Sequence, residues 1–326
     1  MSNKRFVSLV HLGGNMWQKP DNAKNYKKER IDWLYRDYLV TDDVTWKTVT
    51  DYLPTCKINT VLIDMGEAVE LKSHPELAVK GSWSQEKFKA ELQRLRDIGL
   101  EPLPKFNFSA CHNGWMKEMM YKIGTKEYDV FCRDIINEAC ELFDGPALFH
   151  IGMDEEDWRS QSINGHSVIV TRSPERFAED TGKLFDACRS NCARPWMWSG
   201  ITAFDYYGGE KRFAEAVGKD VVLSNYHYGS IHVDEEDMYA SPSVLQYKTL
   251  ETMGYDQIPC ASTWIEPTCN LRTMHFAKKY MDDRRLLGFM SASWHLTIPE
   301  LLYGILHDAT CQKVAIEKYY SDCCEK

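Results

Sequence analysis

Four consecutive acids, Asp154-Glu155-Glu156-Asp157, end the apolar run Phe149-His150-Ile151-Gly152-Met153. An apolar strand that stops at adjacent carboxylates sets ionisable groups where strand meets solvent, the place at which barrel and open-sheet enzymes carry their chemistry. Carboxylates there suit general acid–base catalysis, in which one group moves a proton while another holds charge. The segment marks an enzyme, and Glu156 and Asp157 are expected to begin the following helix as capping acids.

Eight short apolar runs alternate with amphipathic stretches along the 326 residues: Phe6–Leu12, Thr60–Met65, Glu101–Phe108, Ala147–Met153, Trp196–Ser199, Val221–Tyr226, Cys260–Trp264 and Gly288–Trp294. This rhythm predicts a parallel α/β architecture, and eight is the strand count of a closed (β/α)8 TIM barrel, read as one domain over residues 1–326. Phe88, Leu92 and Leu95 share one face of a helix opening near Ser84, and Phe131, Ile135, Ala139 and Leu142 repeat the pattern. Ser173-Pro174 reads as an N-cap followed by proline in the first turn, while Gly99 and Asp144-Gly145 end helices. The segment from Gln18 to Tyr38 is expected to be a long, polar, solvated loop after the first strand.

In that register the strand ends collect Asn15, Trp17, Asp64, Glu67, Asn107, His112, His150, Asp154, Glu155, Trp198, Asn225, Tyr226, His227, Tyr228, Trp264, Glu266, Trp294 and His295 on one rim. Aromatic faces beside carboxylates and amides suit a sugar, whose C–H faces stack on indole while its hydroxyls form hydrogen bonds. A carbohydrate substrate is the expected partner.

Composition narrows the field further. A net charge of −9, with no block of lysine and arginine, argues against nucleic acid as the main partner. No stretch approaches the length of a membrane span, so no membrane partner is expected. The run from Phe6 to Leu12 leads straight into Gly13-Gly14-Asn15 and reads as a first strand rather than a signal peptide, although an export signal ahead of this sequence stays open. Eleven cysteines without disulfide-framework or CxxC spacing point to reduced, buried thiols and a cytoplasmic protein. No cofactor and no resident metal are expected, and assembly into a homo-oligomer stays open.

The segment His150-Ile-Gly-Met-Asp154-Glu155 resembles the HxGxDE signature of glycoside hydrolase family 20, the β-N-acetylhexosaminidases. Upstream, Gly99-Leu-Glu-Pro-Leu-Pro-Lys-Phe-Asn107-Phe-Ser-Ala-Cys-His112 is similar to that family's third-strand segment, and together the two cover the middle third of the chain. The resemblance implies a substrate-assisted retaining mechanism on a terminal 2-acetamido sugar, an exception to the usual two-carboxylate scheme. Glu155 would be the general acid and then the base. Asp154 would orient the acetamide, whose carbonyl oxygen attacks the anomeric carbon. Tyr226 or Tyr228 would hydrogen-bond that carbonyl, and Trp198, Trp264 and Trp294 would wall the pocket. Extended backbone would turn the two neighbouring carboxylates apart, and burial together with an ionised Asp154 would keep Glu155 protonated.

The sequence departs from the family in two places. The first strand lacks an arginine to grip sugar hydroxyls, and Asn107, with Lys105 close by, stands where the family has an acid. Asp64 and Glu67 are the acids available to take over the grip on hydroxyls.

Three other readings stay open. Glu266 could serve as nucleophile with Glu155 as acid/base, which requires a carboxylate separation of about 5–5.5 Å. His112, His150, His227 and His295, with Asp64 and Glu155, could ligate a metal in a barrel isomerase or lyase. The same rim could also bind a sugar without reacting.

Overall fold

The computed structural model describes residues 4–17, 34–228 and 242–321. Most of the loop expected from Gln18 to Tyr38, and the pair Cys323-Cys324, lie outside the described residues. Eight strands form one sheet: β1 Arg5–His11, β2 Thr60–Asp64, β3 Glu101–Lys105, β4 Leu148–His150, β5 Arg194–Trp198, β6 Val222–Ser224, β7 Cys260–Ala261 and β8 Gly288–Ala292. Every ladder is parallel, in the order β6-β5-β4-β3-β2-β1-β8-β7. The two outer strands then meet, with Ile258 N donating to Leu223 O at 3.0 Å and Cys260 N to Asn225 O at 2.9 Å, so the sheet curls into a barrel.

The helices between them are α1 Asp43–Tyr52, α2 Gln85–Asp97, α3 Lys126–Leu142, α4 Trp158–Ile163, α5 Pro174–Ser190, α6 Ala203–Tyr206, α7 Glu210–Ala216, α8 Pro242–Thr252, α9 Cys269–Tyr280 and α10 Leu302–Tyr319. Their starts follow local chemistry: the Ser84 and Ser173 side chains each accept from the backbone N–H three residues on, at 3.2 Å. In α3 the residues Phe131, Ile135, Ala139 and Leu142 are buried against the barrel, each large side chain worth about 1.5–3 kcal/mol.

Strand alternation divides the core in two. Val7, Leu9, Leu62, Leu103, Leu148, Trp196 and Met290 fill the barrel interior, while Val10, Ile63, Phe149 and Met197 face the helices. The closed interior leaves no channel, so a ligand must sit on the rim at the strands' C-terminal ends.

Candidate active site

The backbone after β4 does not stay extended. Gly152, Met153 and Glu155 have φ of 72°, 70° and 50°, so the chain turns through left-handed conformations instead of alternating. Gly152 is required here, because a Cβ would lie 2.0 Å from Asn107 Oδ1. Met153 and Glu155 hold a conformation that L-residues avoid, a strain that gathers at functional sites.

The turn brings the two acids together rather than apart. His112 Nε2 lies 3.1 Å from Glu155 Oε2 and 3.4 Å from Asp154 Oδ2. Asn107 Nδ2 donates to Asp154 Oδ1 at 2.8 Å, and Asn107 Oδ1 accepts from Ser109 N and Met153 N. Burial disfavours charge on the His112 imidazole, but Asp154 and then Glu155 outweigh it and push its pKa up to about 10. Burial likewise opposes ionisation of Asp154, yet His112 and Asn107 hold its carboxyl below the ordinary carboxylate range. The result is an imidazolium shared by the Asp154 carboxylate and the Glu155 carboxyl group. The Glu155 side chain is 42% exposed, so it lacks the burial expected of it.

Above this cluster opens a cavity of about 220 Å³ lined by Trp17, His112, Asp154, Glu155, Asn164, Trp198, Tyr226, Tyr228, Trp264, Ile265 and Trp294. Tyr226 stacks on Tyr228 with ring centres 5.5 Å apart and stands edge-on to Trp198 at 5.6 Å. Trp294, itself left-handed at φ 57°, closes the wall 6.0 Å from Trp198 and 6.1 Å from Tyr228. Trp264 and Ile265 are exposed at the mouth. Burial raises the phenols of Tyr226 and Tyr228 well above their ordinary value, so both keep their O–H donors. The indole N–H groups of Trp198 and Trp294 are buried and have no hydrogen-bond partner among the described residues. A larger groove of about 720 Å³ beside α2, α3 and α5 is lined by charged and amide side chains without an aromatic, and is a poorer match to a ligand pocket.

Of the residues expected to bind substrate, His112, Trp198, Tyr226, Tyr228, Trp264 and Trp294 line the cavity with Asp154 and Glu155. Asn107 sits behind Asp154. Four other acidic or histidine positions have different work. Asp64 is buried and held below the ordinary carboxylate range, against the burial that opposes its charge, by Lys105 Nζ at 2.7 Å and His11 Nδ1 at 3.1 Å. Glu67 accepts from the backbone N–H groups of Gly14 and Asn15 and fixes the turn after β1. Neither lines the cavity, so neither takes over the grip on hydroxyls. His150 is fully buried, edge-on to Trp196 and Trp198, and burial followed by Lys105 keeps it neutral while Nδ1 accepts from Gly152 N at 3.0 Å. It supports the turn. Glu266 accepts from Thr268 N and Oγ1 and lies outside the lining.

The two remaining acids also separate. Asp157 caps α4, accepting from Arg159 N and Ser160 N. Glu156 is not a cap: it is buried 2.8 Å from Arg172 and accepts from Ala110 N, tying this turn to the loop after β3. The sequence reading missed Asn164 and Ile265 in the lining, and the four-histidine metal cluster does not form. Among the described residues the histidine, cysteine and acid ligand atoms that converge are those of Cys111, His112 and Glu155, all within 4.8 Å of one another.

No protein-family model and no curated protein matches the sequence. Solved structures do match in fold. The β-N-acetylhexosaminidase of Bacteroides fragilis NCTC 9343 superposes with a TM-score of 0.61 at 15% identity, over 95% of this chain and 65% of that one. The exo β-N-acetylglucosaminidase of Vibrio harveyi, solved in complex with N-acetylglucosamine, gives 0.55 at 12% identity over 98% of this chain and 57% of that one. Dispersin B gives 0.53 at 11% identity, over 96% of this chain and 99% of that one. The chain thus spans about two thirds or less of the first two proteins and nearly all of the third. It has the (β/α)8 fold of the family 20 hexosaminidases.

Proposed function

We propose that this chain is a glycoside hydrolase unit that cleaves a terminal 2-acetamido sugar by substrate assistance. The observation that carries the reading is the meeting of Asp154 and Glu155 at His112, on the rim of a barrel shared with hexosaminidases, under a wall of tryptophan and tyrosine. Glu155, half-exposed at the cavity, donates a proton to the leaving glycosidic oxygen and later takes one from water. Asp154 accepts from the acetamide N–H and stabilises the positive charge that develops as the carbonyl oxygen attacks the anomeric carbon. Asn107 and His112 fix its geometry. The Tyr226 O–H is the donor for the acetamide carbonyl, while the Tyr228 hydroxyl lies 3.6 Å from Cys260 Sγ.

A cavity of about 220 Å³ lies below the roughly 300–1,000 Å³ of sites for larger ligands and suits a single ring. Trp264 and Ile265 at the mouth are placed to meet the group beyond the scissile bond. Nine described cysteines are free thiols, eight of them at least partly buried, which supports a reducing, cytoplasmic setting. The test is a panel of nitrophenyl β-glycosides with and without a 2-acetamido group. Cleavage confined to the acetamido members is expected. Hydrolysis of plain glucosides or galactosides at similar rates defeats the mechanism, and tight binding without hydrolysis of any member defeats catalysis.

A further inference from the structure

We propose that Cys111, His112 and Glu155 form a binding site for a thiophilic divalent cation such as Zn2+, whose occupancy blocks the cavity. The atoms already approach the required arrangement. Cys111 Sγ lies 3.8 Å and His112 Nε2 3.1 Å from Glu155 Oε2, and all three fall within 4.8 Å of one another. Zn–S near 2.3 Å and Zn–N or Zn–O near 2.0–2.1 Å at tetrahedral angles set edges of about 3.5 Å for sulfur to oxygen and about 3.3 Å for nitrogen to oxygen. Adjustments of a few tenths of an ångström along these two edges bring them to that geometry, and the sulfur-to-nitrogen edge, held within 4.8 Å, closes to about 3.6 Å on binding.

The surroundings favour a soft cation over a hard one. Thiolate, imidazole and carboxylate together select zinc or cobalt, whereas magnesium and calcium prefer oxygen alone. Asn164 Nδ2 donates to Cys111 Sγ at 3.0 Å, which orients the sulfur; burial, then Glu155 and Asp154, push the thiol pKa well up, so the cation must displace two protons to the buffer, one from Cys111 and one from the His112 imidazolium. Asp154 Oδ2, 3.4 Å from the same imidazole nitrogen, adds negative charge beside the site. Glu155, His112 and Asn164 all line the cavity, so the cation can enter from there and its fourth position faces the same space. Cys111 itself is buried behind them.

Binding follows from this geometry alone. Inhibition rests on the assignment of Glu155 as acid/base, because a cation on Oε2 takes the oxygen that must carry the proton. The two parts are read separately. The full chain is titrated with Co2+ alone, watching the near-ultraviolet thiolate-to-cobalt absorption, and Zn2+ is then added to displace it. One cobalt per chain with a thiolate band is expected, erased by Zn2+ and untouched by Mg2+. Cys111→Ser should lose the band, and Glu155→Gln should keep it while weakening binding about 10–100-fold. Circular dichroism of both variants separates loss of the site from loss of the fold, and Cys111→Ala serves if the serine variant is unfolded. A band that persists in Cys111→Ser and Cys111→Ala, or no band in the wild type, overturns the site. Hydrolysis lost with one equivalent of Zn2+ and restored by chelator supports the blocking role; activity that is unchanged or raised overturns it. If no glycoside is cleaved at all, the proposed function fails while the cobalt band still decides the site.

Discussion

Replacing His112 with glutamine removes the cation on which Asp154 and Glu155 converge, while keeping a side chain of similar size. A pKa raised from 6.5 to about 10 corresponds to about 5 kcal/mol favouring the imidazolium in the folded protein, at about 1.4 kcal/mol for each pH unit. Removing one partner of a buried charge pair costs about 3–5 kcal/mol, since the other is left uncompensated. The expected loss is therefore about 3–5 kcal/mol at pH 6, a drop in melting temperature on the order of 4–7 °C for a chain of this size. The pH dependence follows from the direction of the shift. A group whose pKa rises on folding contributes fully below its unfolded value near 6.5 and loses that contribution as pH climbs through about 10. The stability gap between wild type and His112→Gln should accordingly be widest near pH 6 and shrink steadily towards pH 10. Urea unfolding of both proteins at one-unit steps from pH 6 to pH 10 measures it. A gap that stays constant across that range, or one below about 1 kcal/mol at pH 6, refutes the charged His112 and with it the electrostatic account of the site.

Three other substitutions follow from the same geometry. Glu155→Gln should lower turnover about 100- to 10,000-fold in a chromogenic glycoside assay while the unfolding midpoint barely moves, because the side chain is half-exposed. Gly152→Ala meets Asn107 Oδ1 at 2.0 Å and forces alanine into a left-handed backbone costing about 1–2 kcal/mol; calorimetry should show destabilisation, and turnover should fall with the displacement of Asp154. Glu266→Ala should cost far less than the roughly 100-fold expected of a lost catalytic group; a larger loss, rescued by azide as a glycosyl azide, restores the double-displacement reading.

The barrel was legible because each strand is a short apolar run between turn signals, and all eight runs coincide with strands. The expected ends overshoot where the rim begins. Tyr226, Trp264 and Trp294 extend apolar runs past the named strands because the residues lining a sugar-sized cavity are as apolar as those filling the barrel, and Phe106 and Phe108 extend another into packing against Trp115. The acid pair was legible as well, but its geometry was not. Three left-handed residues replace the expected extended strand, and only Gly152 hints at that in sequence. Asp64 and Glu67 look like ligand-binding acids, and Glu156 like a helix cap, until their partners are known. Those partners are Lys105, the backbone of Gly14 and Asn15, and Arg172, and only the folded chain brings them near.

The claim that Asp154 and Glu155 act through the substrate's own acetamide is tested most directly by changing the nucleophile. Aryl 2-acetamido β-glycosides carrying zero, one, two or three fluorines on the acetyl group differ chiefly in how readily the carbonyl oxygen attacks. Turnover by the wild-type chain should fall steeply with each fluorine. A rate that is indifferent to fluorination would contradict anchimeric attack and the role assigned to Asp154.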